Sequence, residues 1–492
     1  MSHHSIAKVF HCIVTEVCRR WAIPNITYAL VHDQQVIDVQ SCVADNFFSR
    51  TPSTEKLFRI GSNSKAFVCT ALVELEKQGK LSLNDKVVDY LPDFRMHADM
   101  LTKQVKIRNL VTHSTGIGKF TSCLLACLDY STESIVRSLR YLKPIAPFNK
   151  SFQYNNALYT VAGKLIETVT HVSCHQYFQE NFFSPLKMDN THTALSNAYR
   201  PLLAIPHIEY QHQTIPIQQS PAEDVFEMGG NIISNVHDLA KWLLFNLKIT
   251  TCCEKKFSYY QQLFQPQIPL IQPANINQLY HYLNATSYLM GWQQVSFKQY
   301  KIFEHMGTAL GYTTSLSFCP QLKSGLILLA NKNDLWNPIG LLLINFYELL
   351  TTRRHSNLIP IIKKQHDHFR QSLQAKLDAM QPFPLPKKFQ QCNLHYRNAM
   401  YGHLMFDSNS HVASLTLAPK KIKIVLDYLG NDKFKFVDEY FNVGEQFKLI
   451  TLCFSGDAKL LTMEIFMDNH HGDLSWVDTQ TFYLVSKKNR GV

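Results

Sequence analysis

Two residues in one short segment have the types and the spacing needed for acyl transfer. Ser62 and Lys65 lie three positions apart, where a loop is predicted to lead into a helix. Residues at this spacing share one helix face, so the Lys65 amine can lie beside the Ser62 hydroxyl. A serine hydroxyl attacks a carbonyl only when a neighbour takes its proton, and a partly buried lysine near other cations can do so because its pKa falls. The same pair also fits a serine that caps a helix, followed by a surface lysine.

A second segment holds a phenol and an amide at close spacing. Tyr154 can relay a proton to a leaving group, and Asn156, two residues later, can hydrogen-bond a substrate carbonyl. The same two residues also fit a buried tyrosine beside a turn asparagine. The segment therefore adds a candidate general base and acid, but only in combination with a nucleophile.

A third segment runs from His305 to Thr308 and is predicted to lie at a strand edge. Gly307 lies inside it, and a glycine in a strand lets substrate approach the backbone closely. The amide of Thr308 would then be one oxyanion donor, and the amide of Ser62 at the helix N-terminus would be the other. A strand histidine such as His305 is, by itself, more typical of a structural role.

The elements that must position these residues are predicted from the spacing of apolar residues. Predicted helices cover residues 6–21, 62–78, 232–248 and 338–351, and predicted strands cover residues 26–32, 36–43, 301–304, 313–318 and 325–330. Residues 81–200 have the pattern of helices and loops. Strands thus come from both ends of this region and helices from its middle. We therefore predict an α+β fold, with an antiparallel sheet covered by helices and a helical subdomain.

The pattern changes at a proline cluster in residues 381–386. Predicted strands beyond it cover residues 413–417, 422–428, 434–437, 447–454, 460–466 and 481–485. A small all-β barrel or sandwich is the expected result. We divide the chain into an α+β domain (residues 1–355), a helical and proline-rich linker (356–386) and an all-β domain (387–492).

Composition limits the classes of function. The chain has 492 residues, 46% of them apolar, and a net charge of +11. The lysines are scattered in pairs rather than gathered into a basic run with aromatic residues, so no nucleic-acid partner is predicted. No set of three or four metal ligands is evident from spacing, and His366 and His368 are expected on a solvated helix face. Neither a metal nor a cofactor is predicted.

The N-terminus and the cysteines bear on where the protein is expected to be. The N-terminus lacks the pattern of a signal peptide, and the apolar stretch of residues 338–350 is too short to span a bilayer. The 12 cysteines have irregular spacing, which favours reduced thiols in an intracellular compartment. We expect a cytoplasmic protein without stable membrane insertion, and export without a classical signal stays open.

Taken together and in this order, the three segments resemble the motifs of the serine β-lactamase and penicillin-binding-protein superfamily. The chain is most similar to the class C β-lactamase-related branch, which includes esterases, D-aminopeptidases and D,D-peptidases. The likeness covers about residues 8–350 and includes the segments 110–117, 152–156, 185–191, 233–242, 289–292, 304–312 and 330–331. The all-β region resembles the lipocalin-like C-terminal domain of several relatives, which often lies near the active site.

The resemblance implies a role for each candidate residue. Ser62 would be the nucleophile, Lys65 its activator, and Tyr154 the general base and acid. Asn156 would orient the substrate and Lys65. His305 would take the place of the family's third-motif lysine or histidine. A lysine there binds the substrate carboxylate in β-lactamases, whereas a histidine, neutral or partly charged near pH 7, is typical of the esterase and aminopeptidase branches.

Some positions depart from the family pattern, and the exact reaction stays open. Ser114 and Thr115 reverse the usual order, Lys187 replaces a glycine, and Met306 stands where a small residue is common. We expect hydrolysis of a small ester or of a peptide or amide bond, including one with a D-residue. The alternatives are a D,D-carboxypeptidase or β-lactamase, and a non-catalytic, self-assembling scaffold on the same fold. A homo-oligomer is compatible with each.

Overall fold

A computed structural model provides the coordinates of the chain. It describes residues 2–44, 53–118, 125–126, 128, 130–193, 199–210, 213–217, 227–251, 254–271, 279–309, 311–417, 421–437, 449–468 and 474–489. In this part of the chain, no helix combines the length and the apolar character that crossing a membrane requires.

The helices and strands are numbered separately in chain order. The helices are α1 (His3–Arg20), α2 (Ser64–Lys77), α3 (Val87–Tyr90), α4 (Asp99–Gln104), α5 (Ile107–Val111), α6 (Thr132–Ser138), α7 (Asn156–Thr170), α8 (Cys174–Phe178), α9 (Glu227–Gly230), α10 (Val236–Thr251), α11 (Leu279–Tyr282), α12 (Trp336–Thr352) and α13 (Ile359–Asp378). The strands of the first region are β1 (Ile26–His32), β2 (Gln35–Cys42), β3 (Phe58–Arg59), β4 (His207–Tyr210), β5 (Gln213–Pro216), β6 (Ile233–Ser234), β7 (Ile268–Pro269), β8 (Asn284–Tyr288), β9 (Gln293–Phe297), β10 (Tyr300–Ala309), β11 (Tyr312–Cys319) and β12 (Ser324–Ala330).

An antiparallel sheet of eight strands, in the order β2-β1-β12-β11-β10-β9-β8-β7, forms the centre of the first region. The hairpin between β1 and β2 turns at Asp33 and Gln34, whose φ angles of 50° and 59° are those of a type I′ turn. Strand β1 then pairs with β12, placing Ile26 opposite Ala330. The prediction of an α+β fold, whose sheet is built from both ends of the region, is confirmed.

Helices cover both faces of this sheet because each face is apolar. On one face, Phe10 of α1 packs edge-to-face on Tyr28 of β1 and on Phe346 of α12. On the other face, Phe67 of α2 stacks on Trp242 of α10 with ring centroids 3.9 Å apart. Burial of large aromatic side chains is a dominant source of stability in such layers. Helix α2, which carries Lys65, is thereby fixed against the sheet.

The C-terminal region is a closed eight-stranded barrel. Its strands are β13 (Cys392–Asn398), β14 (Gly402–Ser408), β15 (Ala413–Leu417), β16 (Ile422–Gly430), β17 (Lys433–Phe436), β18 (Leu449–Phe454), β19 (Leu460–Asp468) and β20 (Leu474–Asn489). Pairing of β13 with β20 closes it. The structure thus decides between the barrel and the sandwich that the sequence left open. Strands β13 and β14 were not predicted.

Aromatic side chains fill the interior of the barrel. Phe389, which precedes β13, lies 5.0 to 6.1 Å, centroid to centroid, from Phe406, Phe434 and Phe454. All four side chains are buried. These rings pack against one another as a hydrophobic core, so this part of the barrel is closed by its own side chains.

The barrel also contacts the helical part of the first region. The hydroxyl of Tyr130 donates a hydrogen bond to the carbonyl of Tyr401, in the turn between β13 and β14, and the two rings lie edge-to-face. Helix α13 occupies most of the predicted linker. It packs against the end of α1, so that His366 is buried with its ring 6.2 Å from that of Trp21. The expectation of a solvated His366 was therefore wrong.

Candidate active site

Ser62 lies on a tight turn directly before helix α2. Residues Gly61–Asn63 form a 3₁₀ turn, and the regular helix begins at Ser64. Gly61 has a φ of +53°, which glycine adopts readily. The hydroxyl of Ser64 donates to the Gly61 carbonyl over 2.7 Å and accepts from the amide of Ile232 over 3.1 Å. These bonds fix the turn that presents Ser62, whereas the sequence placed Ser62 within the helix.

Lys65 is fully buried beside Ser62. Its Nζ lies 3.0 Å from Oγ of Ser62 and donates to Oδ1 of Asn156 over 2.8 Å. It also donates to the carbonyl of Gly229 in α9. The rings of Tyr154 and Tyr159 lie 4.9 and 5.2 Å from Nζ. A neutral amine has two N–H donors for the two carbonyl oxygens, which leaves its lone pair for the Ser62 hydroxyl.

Tyr154 completes the contacts of the Ser62 hydroxyl. Its phenolic oxygen forms a short hydrogen bond with Oγ of Ser62. Tyr154 precedes the N-cap of α7, where the side chain of Asn155 accepts from the Ala157 amide over 3.0 Å and donates to the Gly118 carbonyl over 3.1 Å. The cap fixes the backbone beside Tyr154. The structure thus brings Ser62, Lys65, Tyr154 and Asn156 together within hydrogen-bonding distance.

His113 is a buried residue at this site that was not among the predicted site residues. Its Nδ1 accepts the amide of Asn155 over 3.1 Å, and its ring lies 4.4 Å from the ring of Tyr154. Since Nδ1 is an acceptor, a neutral His113 carries its proton on Nε2. Burial, with the nearby charge of Lys65, holds the pKa of His113 well below its ordinary value. His113 therefore supports Tyr154 as a neutral ring.

Strand β10 forms the wall opposite the Ser62 turn. It pairs with β9 over Tyr300–Glu304, and the segment from His305 to Ala309 continues along β11 beside the turn. A Cβ on Gly307 would lie 1.9 Å from the Ile60 carbonyl. This glycine was predicted to let substrate approach the backbone, whereas in the structure the space is occupied by the backbone of the Ser62 turn itself.

Thr308 lies next to the same turn. A Cβ built on Gly61 would come within 2.6 Å of the Thr308 amide nitrogen. The amide of Ser62 follows Gly61 directly, so the two amides predicted as oxyanion donors come from adjoining backbone segments. Gly307 and Gly61 both permit this approach because neither carries a side chain.

His305 is buried at the start of this segment. Its Nδ1 lies 2.6 Å from the Met306 carbonyl, and its Nε2 lies 3.3 Å from the hydroxyl of Tyr288. Burial, followed by the charge of Lys65, lowers the pKa of His305 to about 3. The sequence left its charge near pH 7 open, and the structure makes it a neutral ring.

Several residues of the site were missed by sequence reasoning. Gly229 accepts from Lys65, and Gly230 lies against Gly61. This glycine pair was not predicted as part of the site, because its role depends on a contact between distant segments. Gly291, with a φ of +73°, lies where a Cβ would contact the backbone of Lys65 and Ala66. The sequence signal that could have identified Gly291 is the Gly291-Trp292 pair, which lies in the family-like segment 289–292.

Potential metal ligands gather away from this site. Among the described residues, His3, His32 and Asp33 have ligand atoms within 4.8 Å of one another. They lie at the C-terminal end of β1. The other end of β1, at Ile26, pairs with Ala330 of β12, which in turn pairs with Thr313 near the start of β11.

Comparison with known proteins decides the family. Residues 14–338 match the Beta-lactamase family, which is about two thirds of the chain. The chain belongs to the Beta-lactamase family. Members of this family are serine hydrolases, and the Ser62 turn, Lys65 and Tyr154 all lie within the matched residues.

Individual relatives of this Beta-lactamase family member are distant. An unguisins hydrolase from Aspergillus violaceofuscus is 25% identical over 361 residues, which cover 68% of this chain and 63% of the relative. Protein flp of Staphylococcus aureus (strain MW2) is 26% identical over 332 residues, covering 66% of this chain and 62% of that protein. The chain thus spans less than two thirds of the length of these relatives.

A solved structure extends the likeness to the whole fold. The octameric penicillin-binding protein homologue from Pyrococcus abyssi superposes with a TM-score of 0.62 at 19% sequence identity. The superposition covers 96% of this chain and 99% of that chain. The expected combination of a β-lactamase-like region with a C-terminal barrel is therefore confirmed as a fold.

Proposed function

We propose that this family member hydrolyses a small ester or a peptide or amide bond, including one next to a D-residue, through an acyl-enzyme on Ser62. The observation that carries the proposal is that the Ser62 hydroxyl contacts both Tyr154 and Lys65. Oγ of Ser62 is hydrogen-bonded to Tyr154 and lies 3.0 Å from Nζ of Lys65. A serine with a proton acceptor on each side has the arrangement that an activated nucleophile requires.

The acylation step follows from these contacts. Oγ of Ser62 attacks the substrate carbonyl carbon while its proton passes to the Lys65–Tyr154 pair. The negative charge that forms on the carbonyl oxygen is stabilised by the amides of Ser62 and Thr308. The tetrahedral intermediate then collapses, and Tyr154 gives a proton to the departing alcohol or amine. Asn156 holds Lys65 through its side-chain oxygen and offers its amide to the substrate.

Deacylation reverses the direction of proton movement. A water molecule attacks the acyl carbon, and Tyr154 with Lys65 takes its proton. Collapse of the second intermediate releases the acid, and the proton returns to Ser62.

The character of His305 supports ester or internal amide substrates over β-lactams. A neutral ring with both nitrogens in hydrogen bonds provides no cation for a substrate carboxylate. A D,D-carboxypeptidase or β-lactamase is the second candidate, and it requires turnover of nitrocefin or release of D-alanine. The name of one relative, an unguisins hydrolase, supports hydrolysis without naming a substrate for this chain.

A non-catalytic scaffold is the third candidate, and an assembly of several copies is compatible with all three. The solved homologue is described as octameric. We propose that this chain also forms a homo-oligomer, which sedimentation of the purified full chain would measure. A scaffold without activity would leave every ester, lactam and D-peptide substrate intact in a folded protein.

The decisive experiment is covalent labelling. The wild-type chain, Ser62→Ala and the surface control Ser258→Ala are treated with a fluorophosphonate, and intact mass and peptide mapping identify the adduct. We expect labelling of the wild type and of Ser258→Ala at Ser62, with none in Ser62→Ala. Equal labelling of Ser62→Ala would refute the assignment of the nucleophile. The same proteins are then tested on a panel of esters, a β-lactam and D-peptides to separate the candidates.

A further inference from the structure

One buried hydroxyl next to the site has no part in the proposed reaction. Tyr288, the last residue of β8, is fully buried, and its hydroxyl lies 3.3 Å from Nε2 of His305. The hydroxyl of Tyr159 is 3.5 Å away, and that hydroxyl donates to the Val111 carbonyl over 2.7 Å. Since the Tyr159 proton goes to Val111, the Tyr288 hydroxyl is the donor in its own contacts, and Nε2 of His305 is the nearer of its two acceptors.

The other nitrogen of His305 decides which atom carries the imidazole proton. Nδ1 lies 2.6 Å from the carbonyl oxygen of Met306, and a carbonyl oxygen can only accept a hydrogen bond. Nδ1 must therefore carry a hydrogen. In the neutral ring Nε2 then carries no hydrogen and can accept a hydrogen bond from the hydroxyl of Tyr288.

Charged and titratable groups surround His305 on the site side of β10. These are Lys65 from α2, His113 from the loop after α5, Tyr154 before α7, and Tyr288 from β8. The preceding residue, Glu304, is also buried, and the pKa of its carboxyl is raised to about 8 by burial. A proton gained by His305 would place a cation beside Lys65, which itself gains positive charge when it takes the Ser62 proton during acylation.

We propose that Tyr288 is a positioning residue that holds His305 in its neutral, Nδ1-protonated form and so prevents an imidazolium from forming beside Lys65 and Tyr154. The hydroxyl stabilises the neutral ring by donating a hydrogen bond to Nε2. A protonated ring carries a hydrogen on Nε2 and cannot accept this bond. The catalytic consequence rests on the proposed function of Ser62, whereas the state of the imidazole is measurable without any activity.

The state of the ring is tested first. The full chain is prepared with ¹⁵N-labelled histidine, and the His305 signals are assigned by their loss in His305→Gln. We expect a protonated Nδ1 and an unprotonated Nε2 in the wild type from about pH 5 to pH 8. In Tyr288→Phe we expect the midpoint of protonation to rise. A proton on Nε2 in the wild type, or an unchanged midpoint in a folded Tyr288→Phe, would overturn the proposal.

The kinetic test separates positioning from simple support of the fold. The kcat/KM for an uncharged ester is measured against pH for the wild type, Tyr288→Phe and the control Tyr300→Phe, a tyrosine on β10 itself. We expect the acid limb of Tyr288→Phe to move to higher pH by about one pH unit, because a protonated His305 opposes the positive charge that Lys65 gains when it takes the Ser62 proton. Tyr300→Phe should follow the wild type.

A double variant and the wild type complete the test. In Tyr288→Phe/His305→Gln the shift of the acid limb should vanish, because glutamine gains no proton. An equal loss of rate at every pH in Tyr288→Phe would indicate a merely structural role and would overturn the proposal. If Tyr288→Phe does not fold, the tautomer of His305 in the wild-type chain tests the proposal by itself. A wild type without hydrolysis but with the expected tautomer would refute the proposed function and leave the positioning role supported.

Discussion

The amide of Asn155 donates a hydrogen bond to Nδ1 of His113 over 3.1 Å, directly beside Tyr154. The bond connects the loop that follows α5 to the N-cap of α7. It requires a neutral His113, since a protonated imidazole has no acceptor. The position of the proposed general base therefore depends on a histidine that touches no substrate atom in the proposed reaction.

Replacing His113 with phenylalanine tests this dependence. His113→Phe keeps a ring against Tyr154 but leaves the buried Asn155 amide without its acceptor, which we expect to lower the free energy of unfolding by about 1–3 kcal/mol. We also expect kcat for an ester to fall by about 10- to 100-fold, because Tyr154 is less well placed. Urea unfolding and steady-state kinetics measure the two effects. His97→Phe, at an exposed position, is the control. Wild-type kcat in His113→Phe would contradict the role.

Tyr154→Phe removes one oxygen from the site. The phenyl ring retains its packing against His113, but the hydrogen bond to Ser62 and the proton acceptor are lost. We expect kcat to fall by about 10²- to 10⁴-fold, with KM changing much less. Fluorophosphonate labelling of Ser62 should slow in parallel. Tyr141→Phe, at an exposed tyrosine, should retain wild-type kinetics. A Tyr154→Phe variant with full activity would exclude Tyr154 as the general base and acid.

Gly307→Ala tests the close contact between β10 and the Ser62 turn. The added Cβ would lie 1.9 Å from the carbonyl of Ile60, and backbone atoms cannot move aside cheaply. We expect a loss of about 1–3 kcal/mol in unfolding free energy, together with loss of ester hydrolysis as the turn shifts. Gly456→Ala in the barrel has no atom within 4 Å of the new Cβ and should be close to neutral. Thermal unfolding of both variants checks the prediction, which an unperturbed Gly307→Ala would refute.

The buried His366 predicts a pH dependence of stability. Burial, followed by the charge of Arg370, lowers its pKa from 6.5 to about 4. Between these values the unfolded chain binds a proton that the folded chain does not, so the free energy of unfolding falls as the pH falls. In His366→Gln we expect this slope to decrease by about 1 kcal/mol per pH unit between about pH 4.5 and 6.

The neighbouring His368 is the matched control for this measurement. It lies two residues away on the same helix, and its side chain is exposed. His368→Gln should leave the slope of unfolding free energy against pH unchanged. Equal slopes in the wild type and His366→Gln, measured by denaturant unfolding at several pH values, would contradict the burial argument.

Local patterns allowed most elements of the first region to be predicted. Strand β1 was predicted with its observed limits, because a short apolar run before Asp33-Gln34 has one simple interpretation. Strands β13 and β14 were missed although apolar and polar residues alternate in Cys392–Asn398, which is the pattern of a half-buried strand. Only the neighbouring strands of the closed barrel satisfy their backbone groups.

The sequence by itself determined the candidates Ser62, Lys65, Tyr154, Asn156 and His305, because each depends on residue type and short spacing. The tertiary structure decided how they meet. Residues 62 and 154 are far apart in the chain, and only the packing of α2, α7 and β10 brings their side chains together. Burial, which no local pattern specifies, made His305 and His113 neutral. The tertiary structure also determined the contacts of Gly307, His113 and Tyr288, since contacts between distant segments depend on the whole fold.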